Sequence, residues 1–217
     1  QSALALTDTV HDGAWMRESA VCDCFAEMIV NASLAASHSS ELTASAPSLL
    51  RSLMAFATAQ PHAAWFAALT AVVSNVDMEA LDGVDGALRC QLLCLPQGSD
   101  DAAVLAAHVS LARVLVPTGA VCEFLVQHQQ QGALALECAV HGALTLLEIE
   151  PKHDAARDAC EVVAAALPVL EIRWTVRAAR VLLLTVLARG STAMRSMCEL
   201  LFDCLSSCLP IDAQAQL

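Results

Sequence analysis

VDGALRCQLLC at residues 84–94 and PTGAVCEFLVQ at residues 117–127 share one layout: a turn signal, a small-residue pair, then an apolar helix. Gly86 and Gly119 stand thirty-three residues apart in these two stretches. Punctuation that returns at such a period marks the same turn in successive helical layers. Whether the rest of the chain follows that period decides the fold.

Composition agrees with helices throughout. Apolar residues make up 57% of the 217 residues, while aromatic residues make up only 4%. Ala, Leu and Val supply most of the apolar share; Ala and Leu are strong helix formers, and small side chains let helices pack closely. No useful length of period-2 alternation occurs, so strands are not expected. The longest apolar runs, such as VLLLTVLA at 181–188, fall short of the roughly 18–20 residues a spanning helix needs. No basic flank, apolar run and small-residue cleavage site open the chain. It begins at Gln1 rather than Met, which fits a trimmed or processed piece.

The net charge is −12, with Lys152 the one lysine among eleven basic residues. A field of that sign repels nucleic acid and anionic membrane. Carboxylates also keep so apolar a chain in solution. A chain of this size needs no disulfide staples, so its ten cysteines read as reduced, placing it in the cytoplasm. Cys90, Cys94, Cys122, Cys138, Cys160 and Cys198 fall inside apolar periodic segments, where they are expected to behave as small buried hydrophobes.

Prolines and glycines divide the sequence into short helical segments, and the helix starts are legible. Ser99 is expected to cap SDDAAVLAAHVSLARVL, with Asp100 and Asp101 in the first turn. Gly190 is expected to end one helix, and Ser191 to cap the next. In LECAVHGALTLLEI, the residues Leu136, Ala139, Val140, Ala143, Leu144 and Leu147 make a helical stripe. In VRAARVLLLTVL the stripe is Val176, Ala179, Leu183, Leu184 and Leu187. Its width predicts a helix covered on more than one side.

Five units follow, at about 14–55, 60–96, 99–130, 133–171 and 174–208, within a single domain spanning 1–217. Each has a helix with an Ala-and-Leu stripe, a polar loop, and a small-residue turn opening another helix. GALRCQLL, GAVCEFL and AALPVL resemble the second part of the armadillo repeat. AEMIVNASLA resembles the first, with Asn31 at its Asn place. The resemblance, more distantly to HEAT repeats, implies an all-α, right-handed α-solenoid of about five irregular repeats. The competing arrangement is one irregular helical bundle.

Sites for chemistry are weighed against this background. Zinc wants four convergent thiolates or imidazoles, and no paired C-x₂-C knuckle occurs, so neither metal nor cofactor is expected. A nucleophile needs a base and an orienting partner, and no nucleophile elbow or phosphate loop accompanies the seven histidines; the chain reads as no enzyme. Asp77, Glu79, Asp82 and Asp85 resemble a calcium loop at first. Asp82, however, stands where that loop needs Gly, and Leu88 where it needs Glu. Trp15 and Trp65 read as core. Armadillo proteins that bind nuclear-import signals carry a Trp four residues before each groove Asn. Glu27 takes that place before Asn31, which argues against import-signal binding.

One stretch departs from the acidic balance. Arg173, Arg177 and Arg180 fall on one helix face beside Trp174, with Arg189 and Arg195 further on. They form either a solvated face partly neutralised by Glu171 and its neighbours or a docking strip for an acidic or phosphorylated segment. Stacked helices expose a long concave surface on which peptides or helices lie. The chain is therefore expected to be a non-catalytic scaffold binding a protein or peptide partner through Asn31, His108, His141, Arg173, Arg177 and Arg180. Alternatives are an armadillo-type nucleotide-exchange factor of a heat-shock chaperone, a helical carrier with an internal cavity, and a structural subunit of a larger assembly. The mean hydropathy of +0.57 suits the last of these.

Overall fold

The computed structural model describes residues 19–37, 39–76, 86–94, 100–116 and 121–208. Among these the structure is all-helical, with nine α-helices and two 3₁₀ turns. The chain divides into two compact units, residues 1–115 and 116–217.

The first unit holds α1 (Ser19–Ala35), α2 (Ser40–Ala59), α3 (Ala63–Ser74), α4 (Gly86–Leu93) and α5 (Ala102–Leu115). Helices two apart in sequence lie side by side: α3 sits between α1 and α5 and also packs on α2, while α4 rests on α5. This follows from α3 being apolar nearly all round, AAWFAALTAVVS. Trp65, Phe66, Ala68, Leu69, Val72 and Val73 are all at most 1% exposed. Trp65 meets Phe25 of α1 edge-on at 6.0 Å and leans on Phe56 of α2 at 5.5 Å. The expectation that Trp65 belongs to the core is met.

Local chemistry sets the helix ends. Ser39 Oγ accepts from the Leu42 N–H at 3.1 Å and starts α2. For α5, Ser99, expected as the cap, lies outside the described residues, and the helix is capped by Asp101. Its Oδ1 accepts from the Ala103 and Val104 N–H groups at 2.8 and 3.2 Å. A carboxylate there serves the helix dipole as well as the orphan donors. Pro47, read as a breaker, lies buried inside α2. Its missing N–H leaves the Thr43 carbonyl without its helical donor. Burial of Leu42, Ala46, Leu49, Leu50 and Leu53 along one side carries the helix through. At the far end of α5, the Arg89 guanidinium on α4 donates twice to the Leu115 carbonyl, at 2.9 and 2.6 Å. A cation on the negative helix end is favourable.

The second unit holds α6 (Val121–Ile149), α7 (Ala156–Ala166), α8 (Ile172–Arg189) and α9 (Arg195–Cys208). Two antiparallel pairs, α6 with α7 and α8 with α9, stack so that α8 lies on α6 and α9 on α7. The α6 segment is bent at Gln129, whose φ of 48° and ψ of −127° are non-helical. Three residues on, a Cβ at Gly132 would come within 3.0 Å of the His128 Cβ and 3.3 Å of the Phe124 ring, so any larger residue would crowd both. By length and composition α6 alone among the described helices could cross a membrane, with a window hydropathy of 1.4. Counting uninterrupted apolar runs in the sequence misses this. More than half of that window (56%) is buried inside the unit.

Gly190, at φ 56°, ends α8 as expected, its N–H reaching the Val186 carbonyl. The Ser191 cap does not form. Gly190–Thr192 is a 3₁₀ turn, and α9 starts only at Arg195, after Met194 accepts from the Met197 and Cys198 N–H groups. Arg189 repeats the device of Arg89, donating to the Pro151 and His153 carbonyls just beyond α6.

The stripe read on α8 is the largest correction. Ala179 is buried as expected, but Val176 is 54% exposed, Leu183 45%, Leu184 54% and Leu187 68%. The covered residues are Thr175, Ala178, Ala179, Val181, Leu182 and Thr185. Among the described helices of its unit α8 packs on α6 and α9, and Val176, Leu183, Leu184 and Leu187 are left exposed. Among the cysteines, Cys22, Cys90, Cys160 and Cys204 are buried, while Cys94 and Cys138 are half-buried. Cys24, Cys122, Cys198 and Cys208 are exposed, so Cys122 and Cys198 are not the buried hydrophobes their segments suggested.

Candidate functional site

A polar band crosses α6 and α8 in the second unit. On α6, Glu137, His141, Thr145 and Glu148 follow i, i+4, i+8, i+11, so they share the side of the helix away from its Ala-and-Leu stripe. Arg173, Trp174 and Arg177 on α8 face them. Arg173 pairs with Glu137 at 3.0 Å and with Glu171, just before its own helix, also at 3.0 Å. Arg177 donates to Thr145 Oγ1 at 3.3 Å, to Glu148 at 3.1 Å and to Nδ1 of His141. Both guanidinium groups sit against the Trp174 ring, 5.9 and 5.8 Å from its centre, in the range of cation–π attraction. The His141 ring stands edge-on to the same tryptophan at 6.4 Å. The Trp174 Nε1 is buried with no hydrogen-bond partner among the described residues.

The charges settle one another. Burial pushes the His141 pKa down, the Arg177 cation adds to this, and Glu148 opposes it. A neutral His141 can accept from Arg177, which fits the contact. Arg173 is held in its charged form chiefly by its hydrogen bond to Glu137, with Glu171 adding attraction. Such a band offers donors, acceptors and a tryptophan edge on two rigid helices, which is the chemistry of recognition.

His141, Arg173 and Arg177 are thus brought together as one network. Arg180 lies one turn further along α8, exposed, and makes no ion pair with a described residue. Asn31 is exposed on α1 in the other unit. His108 does not reach the surface: it is 0% exposed on α5, with Nε2 on the Leu93 carbonyl at 3.2 Å and its ring edge-on to Phe66 at 5.5 Å. The carbonyl fixes Nε2 as the donor, leaving Nδ1 without a partner among the described residues. Burial lowers its pKa to about 4, against a smaller upward pull from the Leu93 carbonyl. This histidine holds a core together and is unavailable to a partner.

Sequence reasoning missed Glu137, Thr145 and Glu148. The signal was present in the polar spacing of LECAVHGALTLLEI, opposite its apolar stripe. Trp15, the Asp77, Glu79, Asp82 and Asp85 loop, and Gly119 lie outside the described residues. Compared with family models, curated proteins and solved structures, the chain matches none of them.

Proposed function

We propose that the chain is a non-catalytic protein-interaction module, built as a right-handed row of about five armadillo-like units. Its partner, a protein or peptide, lies along the face that carries His141, Arg173, Arg177 and Arg180. The observation that carries this reading is the cross-helix band itself. Arg and Trp side chains dominate binding energy at interfaces, and here they are held ready on packed helices by Glu137, Glu148 and Glu171. The side-by-side packing of alternate helices supports the repeat organisation, and so does the bend at Gln129, which falls where the third unit would hand over to the fourth. Affinity capture with the wild-type chain, compared with Arg173→Glu and Arg180→Glu, tests it. The variants are expected to lose captured proteins while keeping their helical circular dichroism. An unchanged set of proteins would refute the assignment.

A second reading, subunit of a larger assembly, is favoured by the apolar side chains left open on α8 and by Phe202 and Leu205 on α9, 55% and 44% exposed. It expects the isolated chain to associate as its concentration rises. A chain that stays monomeric and soluble when concentrated argues against it.

A further inference from the structure

The side of α8 turned away from α6 carries Ile172, Val176, Leu183 and Leu187, exposed by 60%, 54%, 45% and 68%. At about 100° per residue the four lie within about 60° of one another around the helix. They form a straight apolar ridge roughly four turns long, with the small, buried Ala179 beside its middle. On the same count Arg180, Arg173 and Arg177 follow round the helix from the edge of the ridge; Arg173 and Arg177 reach α6 from there, and the Thr185 hydroxyl meets it on the far side. In the first unit the comparably apolar helix α3 is covered by α1, α2 and α5.

Charge narrows what covers the ridge. The helix IRWTVRAARVLLLTVLAR has four arginines and no carboxylate, in a chain of net charge −12. Arg173 and Arg177 are matched by glutamates, and Arg189 is taken up by backbone carbonyls. Arg180 is left at the edge of the ridge with no described counter-charge. A second copy fits poorly: the ridge is symmetric about residues 179 and 180, so pairing ridge to ridge in antiparallel fashion sets one Arg180 beside the other. An anionic bilayer is opposed by the net charge.

We infer that this ridge is the docking surface for an amphipathic helix of another protein, whose apolar stripe covers Ile172, Val176, Leu183 and Leu187 and whose flank places a carboxylate against Arg180. The inference rests on the binding-module reading and gives it a place and a partner chemistry. Helix-on-helix docking of this kind reads anchors along one helical face, and the ridge offers them at i, i+4, i+11 and i+15.

The probe is a cross-linked helical peptide of about 18 residues with leucines at that spacing. It is made with glutamates on one flank, and again with lysines there, and binding is followed by fluorescence polarisation. The glutamate peptide is expected to bind at least about tenfold more tightly than the lysine peptide. Arg180→Glu is expected to reverse that order. Leu183→Asp with Leu187→Asp is expected to abolish binding with the unfolding midpoint unchanged, since both side chains are already half in water. Equal affinity for the two peptides, or binding that survives the double variant, overturns the inference. So does a dimer in sedimentation that the double variant dissociates, or binding to vesicles of phosphatidylcholine and phosphatidylserine that it removes. Peptide binding only by a chain shortened at Cys208 would assign the ridge to residues 209–217 and overturn it too. If the ridge fails while Arg173→Glu still loses captured proteins, the general reading stands and this inference alone falls.

Discussion

Helices α3 and α8 are both rich in apolar residues, yet one hides them all and the other leaves five large ones half in water. In α3 the side chains from Trp65 to Val73 that face inward are at most 1% exposed, because α1, α5 and α2 close on it from three directions. Among the described helices of its unit α8 packs on α6 and α9, and Ile172, Val176, Leu183, Leu184 and Leu187 are 45–68% exposed. Apolar content reports how much surface a helix can bury. The number of neighbours decides how much it does bury, and neighbours lie far away in the sequence.

The contrast can be broken most directly at Trp65. Trp65→Ala removes a fully enclosed side chain and is expected to cost about 3–5 kcal/mol. Urea unfolding followed by circular dichroism reads this, since the substitution also removes one of the three tryptophan fluorophores. A loss below about 1 kcal/mol would show that α3 is not the clamped centre described.

His108, packed on α3 through Phe66, sharpens the comparison by pH. Its pKa is about 4 in the folded chain against 6.5 for an imidazole open to water, so the unfolded state takes up the proton first. Stability is complete above about pH 6.5, declines as pH falls, and levels near pH 4. The difference of 2.5 units amounts to about 3 kcal/mol. His108→Leu is expected to flatten this part of the profile. The exposed ridge of α8 contains no titratable carboxylate or histidine to produce a matching effect.

Smaller effects come from the helix ends and the bend. Arg189→Met breaks the grip of α8 on the Pro151 and His153 carbonyls and is expected to cost about 1–2 kcal/mol in thermal or urea unfolding. Gln129→Gly relieves a positive φ and is expected to gain about 1 kcal/mol. If the same substitution lowers the unfolding midpoint instead, the glutamine side chain contributes more than the backbone strain costs. Last, Leu187→Ala, at 68% exposure, is expected to change stability by less than about 0.5 kcal/mol. A cost near that of Trp65→Ala would show α8 covered after all.

Much of the fold was legible in these residues, and the failures have a common cause. Helical spacing in LECAVHGALTLLEI picked the buried side of α6 correctly: Leu136, Ala139, Val140, Ala143, Leu144 and Leu147 are all fully buried. The same logic picked Val176, Leu183, Leu184 and Leu187 on α8, where the layer that would cover them is missing from the described chain. Local chemistry accounts for two more details: the Asp101 carboxylate caps α5, and the apolar side of α2 overrides Pro47. The candidate site was half legible. Three arginines at helical spacing stood out, but the neutralisation of Arg173 by Glu137 and of Arg177 by Glu148 joins positions 36 and 29 residues apart, which periodicity within one helix does not register.

The distribution of thiols has a practical consequence. Cys22 and Cys90 lie inside the first unit, and Cys160 and Cys204 inside the second, where burial raises the latter two to about 12 and about 11 and keeps them inert while the helices stay closed. Cys24, Cys122, Cys198 and Cys208 stand ready at the surface. A maleimide pulse, read by peptide mass, therefore uses native side chains as clocks: the surface four react at once, and each hidden one reacts only as often as its own neighbourhood opens.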